Sequence, residues 1–221
     1  MIEIKNLGKT YHIGNISVYA VKDVSFKVKK GEFLGLTGKS GAGKSTLLYQ
    51  MGLIDQPSHG EVIIDGIQTS NLTPEQRSQM RLNTLGYIFQ DYALLPDLTA
   101  AENIALPLIM QGTSYKIALA KAYEKLQLVN LQGRKDNLPS ELSGGEQQRV
   151  AICRAIVTNP KILFADEPTA NLDTENGLNI LQIFTKLHKM GQTIVMISHE
   201  AEYIKFVDRV ITLKDGLIIK S

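Results

Sequence analysis

Gly38-Lys39-Ser40-Gly41-Ala42-Gly43-Lys44-Ser45 is the stretch from which the rest of the chain can be read. It fits the spacing Gly-x-x-x-x-Gly-Lys-Ser in full. Phe33-Leu34-Gly35-Leu36-Thr37 before it reads as a strand, and Thr46 to Leu53 after it reads as a helix. Glycines let the backbone curl until successive N–H groups face one point, and the following helix adds the positive end of its dipole. The result is a phosphate cradle. Gly38, Lys39, Ser40, Gly41, Ala42, Gly43, Lys44, Ser45 and Thr46 are expected to form it. Lys44 supplies a point charge for β- and γ-phosphates, and the Ser45 hydroxyl a ligand for Mg²⁺.

Outward from the cradle, two kinds of pattern alternate. Upstream, Ile2 and Ile4 alternate with Glu3 and Lys5, and Val24, Phe26 and Val28 with Ser25, Lys27 and Lys29. A period of two predicts half-buried, antiparallel strands. Downstream, Ile162-Leu163-Phe164-Ala165 and Ile194-Val195-Met196-Ile197 are unbroken apolar runs, as in strands covered on both faces. Ile180, Phe184 and Leu187 recur between them at helical spacing, and Gly191 can end that helix. Strand, helix, strand in succession implies a parallel sheet with right-handed crossovers. From about Thr69 to Asn137 the only buried-strand run is Leu85 to Phe89, and Leu119, Tyr123 and Leu126 suggest a helix. Most of this middle is expected to be a helical subdomain inserted at roughly residues 91–158 of a single domain spanning 1–221. The fold class is α/β: a mostly parallel sheet around the phosphate loop, an N-terminal antiparallel β subdomain and the helical insert.

Two further segments carry chemistry. Asp166 and Glu167 end the run Ile162 to Ala165. Adjacent carboxylates at a buried strand end repel each other and lose hydration, and a bound cation resolves the conflict. Asp166 is then the holder of Mg²⁺, and Glu167 is left to polarise an attacking water. In Leu142-Ser143-Gly144-Gly145-Glu146-Gln147-Gln148-Arg149, Ser143 and Glu146 have the spacing of a capping box opening a helix through Val150 to Val157. The two glycines expose its first N–H groups, which makes a second anion-seeking helix end.

Leu-Ser-Gly-Gly-Glu-Gln resembles the signature motif of ATP-binding-cassette ATPases, and the whole chain fits that family. The resemblance implies an adenine-stacking role for Tyr11. It also makes Gln90 the glutamine that senses Mg²⁺ and the γ-phosphate, His199 the switch histidine, and Ala170-Asn171-Leu172-Asp173 the D-loop, with Asp173 at the nucleotide. It implies Mg²⁺ bound by Ser45, Gln90 and Asp166, and catalysis by Glu167, His199, Gln90 and Lys44. It implies a head-to-tail pair of cassettes in which Ser143, Gly144, Gly145 and Glu146 complete the ATP site of the partner copy.

Arg81-Leu82-Asn83, Leu85 to Gln90, Leu94 to Ala100 and Pro168 to Asp173 are similar to the lipoprotein-releasing, macrolide-export and antimicrobial-peptide-resistance subgroup. Its partners are integral-membrane permeases, so a place on the inner face of the cell membrane is implied. Tyr92, Leu94, Leu95 and Leu98 are expected either to dock a coupling helix of the permease or to pack on the helical insert. Lys39 stands where the subgroup has proline, and Ala170 where it has glycine.

Bulk properties agree. The 221 residues are 43% hydrophobic and 21% charged, ordinary for one folded domain. A net charge of +2 gives no reason to expect nucleic acid as a partner, and Lys27, Lys29 and Lys30 read as a solvated strand edge. The one cysteine, Cys153, lies among apolar neighbours and reads as a buried small hydrophobe. Neither a secretory leader nor a run of ~20 apolar residues is present in these 221 residues, so a cytosolic chain is expected. Rival readings are a cassette serving DNA repair or translation, a P-loop kinase or GTPase, and a regulatory cassette with little turnover. Long coiled coils or a second cassette would mark the first; the second has no use for Ser143-Gly144-Gly145; Glu167 and His199 speak against the third.

Overall fold

The computed structural model describes residues 1–14, 16–199 and 205–220. Strands β1 (Ile2–Ile13) and β2 (Ile16–Val28) form a long antiparallel hairpin, running in register from Ile2 opposite Val28 to Ile13 opposite Ile16 with shifts between. Its base alternates as expected, with Ile2, Ile4, Val24 and Val28 buried, while both strands are exposed near the tip. β4 (His59–Ile64) pairs with the free edge of β1, and β5 (Ile67–Gln68) with β4, giving a four-stranded antiparallel sheet.

The second sheet has six strands in the order β10-β9-β3-β8-β7-β6. Its members are β3 (Phe33–Thr37), β6 (Leu85–Ile88), β7 (Ile162–Asp166), β8 (Thr193–Ile197), β9 (Arg209–Lys214) and β10 (Leu217–Lys220). Pairing is parallel except at the β9–β10 edge. Every residue of β7 and β8 is buried, which is why those segments read as unbroken apolar runs. Their side chains divide by face. Leu34, Leu36, Ile162, Phe164, Val195 and Ile197 share a core with Leu47, Leu48 and Met51 of helix α1 (Lys44–Met51) and with the antiparallel sheet. Phe33, Leu163, Ala165, Ile194 and Met196 point the other way, against Ile180, Leu181 and Phe184 of α6 (Thr174–Lys189).

A third core belongs to helices. α3 (Ala100–Met110), α4 (Tyr115–Leu128) and α5 (Gly144–Ile156) bury Ala101, Ile104, Ala118, Leu126, Val150 and Cys153 together. α2 (Pro74–Thr84) is separate from it: it adjoins β6, and its Met80 packs on the first core. Buried Asn103 pins the lead-in to α3, donating to the carbonyls of Leu95, Leu98 and Thr99 and accepting from the Leu95 amide. Leu94 packs against the helical core, whereas Leu95 is exposed. Of the two fates open to this segment, Leu94 therefore takes the packed one. Among the described residues, no helix is long and apolar enough to cross a membrane.

Candidate active site

The turn between β3 and α1 is held by backbone contacts. Gly38, Gly41 and Gly43 have φ values of 141°, 76° and 96°, in the region that side chains resist. A Cβ on Gly38 would lie 2.2 Å from the Leu213 carbonyl oxygen, and one on Gly43 2.1 Å from that of Ala20. Two neighbouring strands thus press on the turn from outside. Lys44 is almost fully buried, and its Nζ donates to the carbonyls of Gly38 and Lys39, both at 3.0 Å. Burial pushes its pKa down, against the pull of Glu167 and Asp166. An anion in the turn would restore what burial takes from the charged ammonium.

Ala20, Ser40, Gly41, Gly43, Lys44, Ser45, Thr46, Gln90, Glu167 and His199 line one cavity of about 360 Å³. The Ser45 hydroxyl donates to Asp166 Oδ1 at 3.1 Å. Burial raises the Asp166 pKa, while hydrogen bonds from Tyr49 and Ser45 and the Lys44 charge oppose the rise. Its conflict is the one a cation relieves. Among the described residues no cluster of three or more His, Cys, Asp or Glu could hold a metal. Glu167 follows with φ 46°, a left-handed geometry that few non-glycine residues adopt and that often marks a working site. His199 Nε2 lies 2.5 Å from Glu167 Oε1, an ion pair when the imidazole is protonated.

The remaining expected residues lie elsewhere. Tyr11 is on β1, and its hydroxyl donates to Asp55 Oδ2 at 2.9 Å. Asp173 caps α6, Oδ1 accepting from the Asn176 amide and Oδ2 from its side chain, both at 2.8 Å. Ser143, Gly144, Gly145 and Glu146 form the tip of α5, outside the cavity. The capping box is complete: the Glu146 amide donates to Ser143 Oγ, and the Ser143 amide to Glu146 Oε2. The other Glu146 oxygen accepts from Arg134 Nε. The two glycines are needed here for close approach. A Cβ on Gly144 would meet the Tyr92 hydroxyl at 2.9 Å, and one on Gly145 Asn176 Oδ1 at 2.8 Å.

Three side chains that sequence reasoning passed over tie these parts together. Tyr49 of α1 stands beside Asp166, and burial together with that carboxylate pushes its pKa up to about 12. Gln148 of α5 donates to the Pro168 carbonyl, next to Glu167, at 2.7 Å. Arg154 of α5 donates to the carbonyls of Ala93 and Tyr92, holding two successive left-handed residues just after Gln90. Asn171 also donates, to the Gln90 carbonyl. A glutamine in a helix or an arginine near its end has no local signal for such partners.

Known proteins resemble this chain along its length. Residues 21–170 match the family described as ABC transporter. The chain is 44% identical over 219 residues to a macrolide export ATP-binding/permease protein MacB of Chlorobaculum tepidum, covering 99% of this chain and 34% of that protein. It thus spans about a third of such relatives. It is 43% identical to an uncharacterized ABC transporter ATP-binding protein of Thermotoga maritima, covering 99% of this chain and 93% of the relative. The dimeric ATP-binding cassette MJ0796, in a post-hydrolysis state with ADP and Pi, superposes with a TM-score of 0.94 at 41% identity, covering 100% of this chain and 97% of that one. The chain belongs to the ABC transporter family, as one of its ATP-binding cassettes, an ATPase.

Proposed function

We propose that this chain, one cassette domain with its helical insert at about 91–158, hydrolyses Mg-ATP when two copies close head to tail, and so powers a transporter of the macrolide-export type. The observation that carries the reading is the separation of two anion-seeking helix ends. One lies inside the cavity with Ser45, Gln90, Glu167 and His199; the other, at Ser143 to Gly145, lies on a different core, outside it. Such a tip can serve the cavity of a second copy, as the dimeric likeness of MJ0796 suggests.

Within one copy, the cradle amides and Lys44 bind the phosphates, and Tyr11 offers its ring to the adenine. Ser45 and Asp166, with Gln90 alongside, would hold Mg²⁺, which when bound neutralises charge on the β- and γ-phosphates. Glu167 accepts the proton of the attacking water, and His199 holds its carboxylate in place and can itself reach the γ-phosphate. Ser143, Gly144, Gly145, Glu146 and Asp173 act across the pair. Phosphoryl transfer spreads negative charge, so two facing helix ends are placed to stabilise it.

Glu167→Gln tests the reading. ATP still binds and an ATP-dependent dimer accumulates in light scattering, while turnover falls by ~10²–10³. Normal turnover would remove Glu167 from the role of base.

A membrane partner is supported by the names of the MacB relatives and by an apolar groove of about 490 Å³ beside the loop after Gln90. Leu82, Tyr87, Phe89, Ala93 and Met110 help line it. A permease segment seated there would hold the cassette at the cytoplasmic face of a membrane and bear on Gln90 through Ala93 and Tyr92. Met110→Glu is expected to cut permease co-purification while sparing ATP affinity; unchanged co-purification would move the contact elsewhere.

A further inference from the structure

The loop that follows α1 holds a group the hydrolytic site does not use. Asp55 Oδ1 accepts from Lys9 Nζ and from the Gln56 amide, each at 2.7 Å, and Oδ2 accepts from the Tyr11 hydroxyl at 2.9 Å. Lys9 Nζ also donates to the Gln56 carbonyl at 2.7 Å, and it lies over the Tyr11 ring, 5.0 Å from the centroid. Both oxygens of one carboxylate, an ammonium and a ring face are thus joined in one clasp. Hydrogen bonds from Lys9 and Tyr11 hold the Asp55 pKa below its usual value although burial works to raise it. The loop is itself anchored to α1, the amides of Ile54 and Asp55 donating to the Tyr49 carbonyl.

The clasp matters because Tyr11 stands where the hairpin has lost its packing. Its β1 neighbours His12 and Ile13 are exposed, and so are Ser17 and Val18 opposite. A tyrosine there would sample several rotamers, and fixing it on binding would cost affinity. With its hydroxyl fixed by Asp55 and one face covered by Lys9, the ring presents a single free face. A purine is planar and stacks on such a face. We infer that Asp55, with Lys9, is a positioning residue for nucleobase recognition, locking Tyr11 to the same helix that carries the phosphate cradle. This rests on the reading that Tyr11 receives the base. One helix then sets the distance between the two ends of the nucleotide site: Lys44 and Ser45 at its start, and Asp55 just past its end.

The test compares Mg-ATP with Mg-tripolyphosphate, which has the phosphates and no base. Calorimetric titrations use the intact chain and its Asp55→Ala, Tyr11→Phe and Tyr11→Ala variants. Asp55→Ala is expected to weaken ATP binding about tenfold, to leave tripolyphosphate binding unchanged, and to raise KM more than it lowers kcat. Tyr11→Phe keeps the ring but loses the clasp, so adding it to Asp55→Ala weakens ATP no further. Equal loss of ATP and tripolyphosphate in Asp55→Ala would overturn the inference, since Asp55 would then merely support α1. Unchanged ATP binding in Asp55→Ala, with loss in Tyr11→Ala, would also overturn it but leave the base platform standing. If Tyr11→Ala binds ATP normally, the platform fails and takes the clasp with it.

Discussion

Two helix N-termini in this molecule offer N–H groups to anions, and they are built differently. The start of α1 is enclosed by backbone: the carbonyls of Leu213 and Ala20 press on Gly38 and Gly43, and Lys44 bonds to the carbonyls of its own loop. The start of α5 is enclosed by side chains, the Tyr92 hydroxyl over Gly144 and Asn176 over Gly145, with Ser143 and Glu146 capping each other. The helices also rest on different cores. Leu47, Leu48 and Met51 root α1 beneath the parallel sheet, while Val150, Cys153 and the C-cap Val157 root α5 in the helical core. Backbone walls cannot give way without moving strands, whereas side-chain ends rotate. On the proposed reading, the first site is shaped in advance for the phosphates, and the second is left to meet a surface that arrives from outside.

The sharpest way to break this comparison is to add one methyl group at each site. Gly43→Ala puts a Cβ 2.1 Å from a strand carbonyl at φ 96°. A cost of about 3 kcal/mol or more is expected, with ATP binding lost; thermal melts and calorimetry read both. Gly41, at φ 76° with nothing within 4 Å of the added carbon, is the control, where alanine should cost only about 1–2 kcal/mol. At α5, Gly145→Ala meets the Asn176 side chain, from Oδ1 at 2.8 Å back to Cβ at 3.4 Å, and no backbone, and about 1 kcal/mol of stability should be lost. A single copy still binds ATP, but the ATP-dependent pair and its turnover fall. Should Gly145→Ala abolish binding by the monomer, the two sites would not be separate.

Much of this was legible in the sequence, and the reasons are local. The loop from Gly38 to Ser45 announces itself because each residue type is demanded by its own backbone. β7 and β8 were readable because strands covered on both faces leave no room for polar residues. Ser143 and Glu146 were readable because a capping box closes over three residues. Asp173 carried a local signal too, a capping residue ahead of Thr174 to Lys189, beside the nucleotide role that the family resemblance assigns it. What stayed hidden depends on distant partners. The bond from Tyr11 to Asp55 spans 44 positions, and that from Arg154 to Tyr92 spans 62. β4 and β9 are only partly buried, so neither carries the unbroken apolar run that marks β7 and β8. Leu94 shows the same limit: an apolar residue in a loop says that it is covered, and only the packed helices say by what.

The smallest expected effect tests whether the root of α5 stays closed while its tip is free to meet a partner. Cys153 is fully buried, its Sγ donating to the Lys125 carbonyl, and burial pushes the thiol pKa from 9.0 to about 12. The folded chain therefore keeps this proton where the unfolded chain has already released it. Stability from the neutral thiol is present below pH 9 and is lost as pH rises from 9.0 towards about 12, at a slope of at most about 1.4 kcal/mol per pH unit. Comparing wild type with Cys153→Ala in denaturant titrations at pH 8 and pH 10 isolates this contribution, since the alanine variant should lose less stability between the two. At pH 8 the native thiol should also resist iodoacetamide and react once the chain is unfolded. Rapid labelling of the folded chain, with or without ATP, would mean that the helical core opens as a whole. The contrast between a rooted α5 and its adjustable tip would then have to be given up.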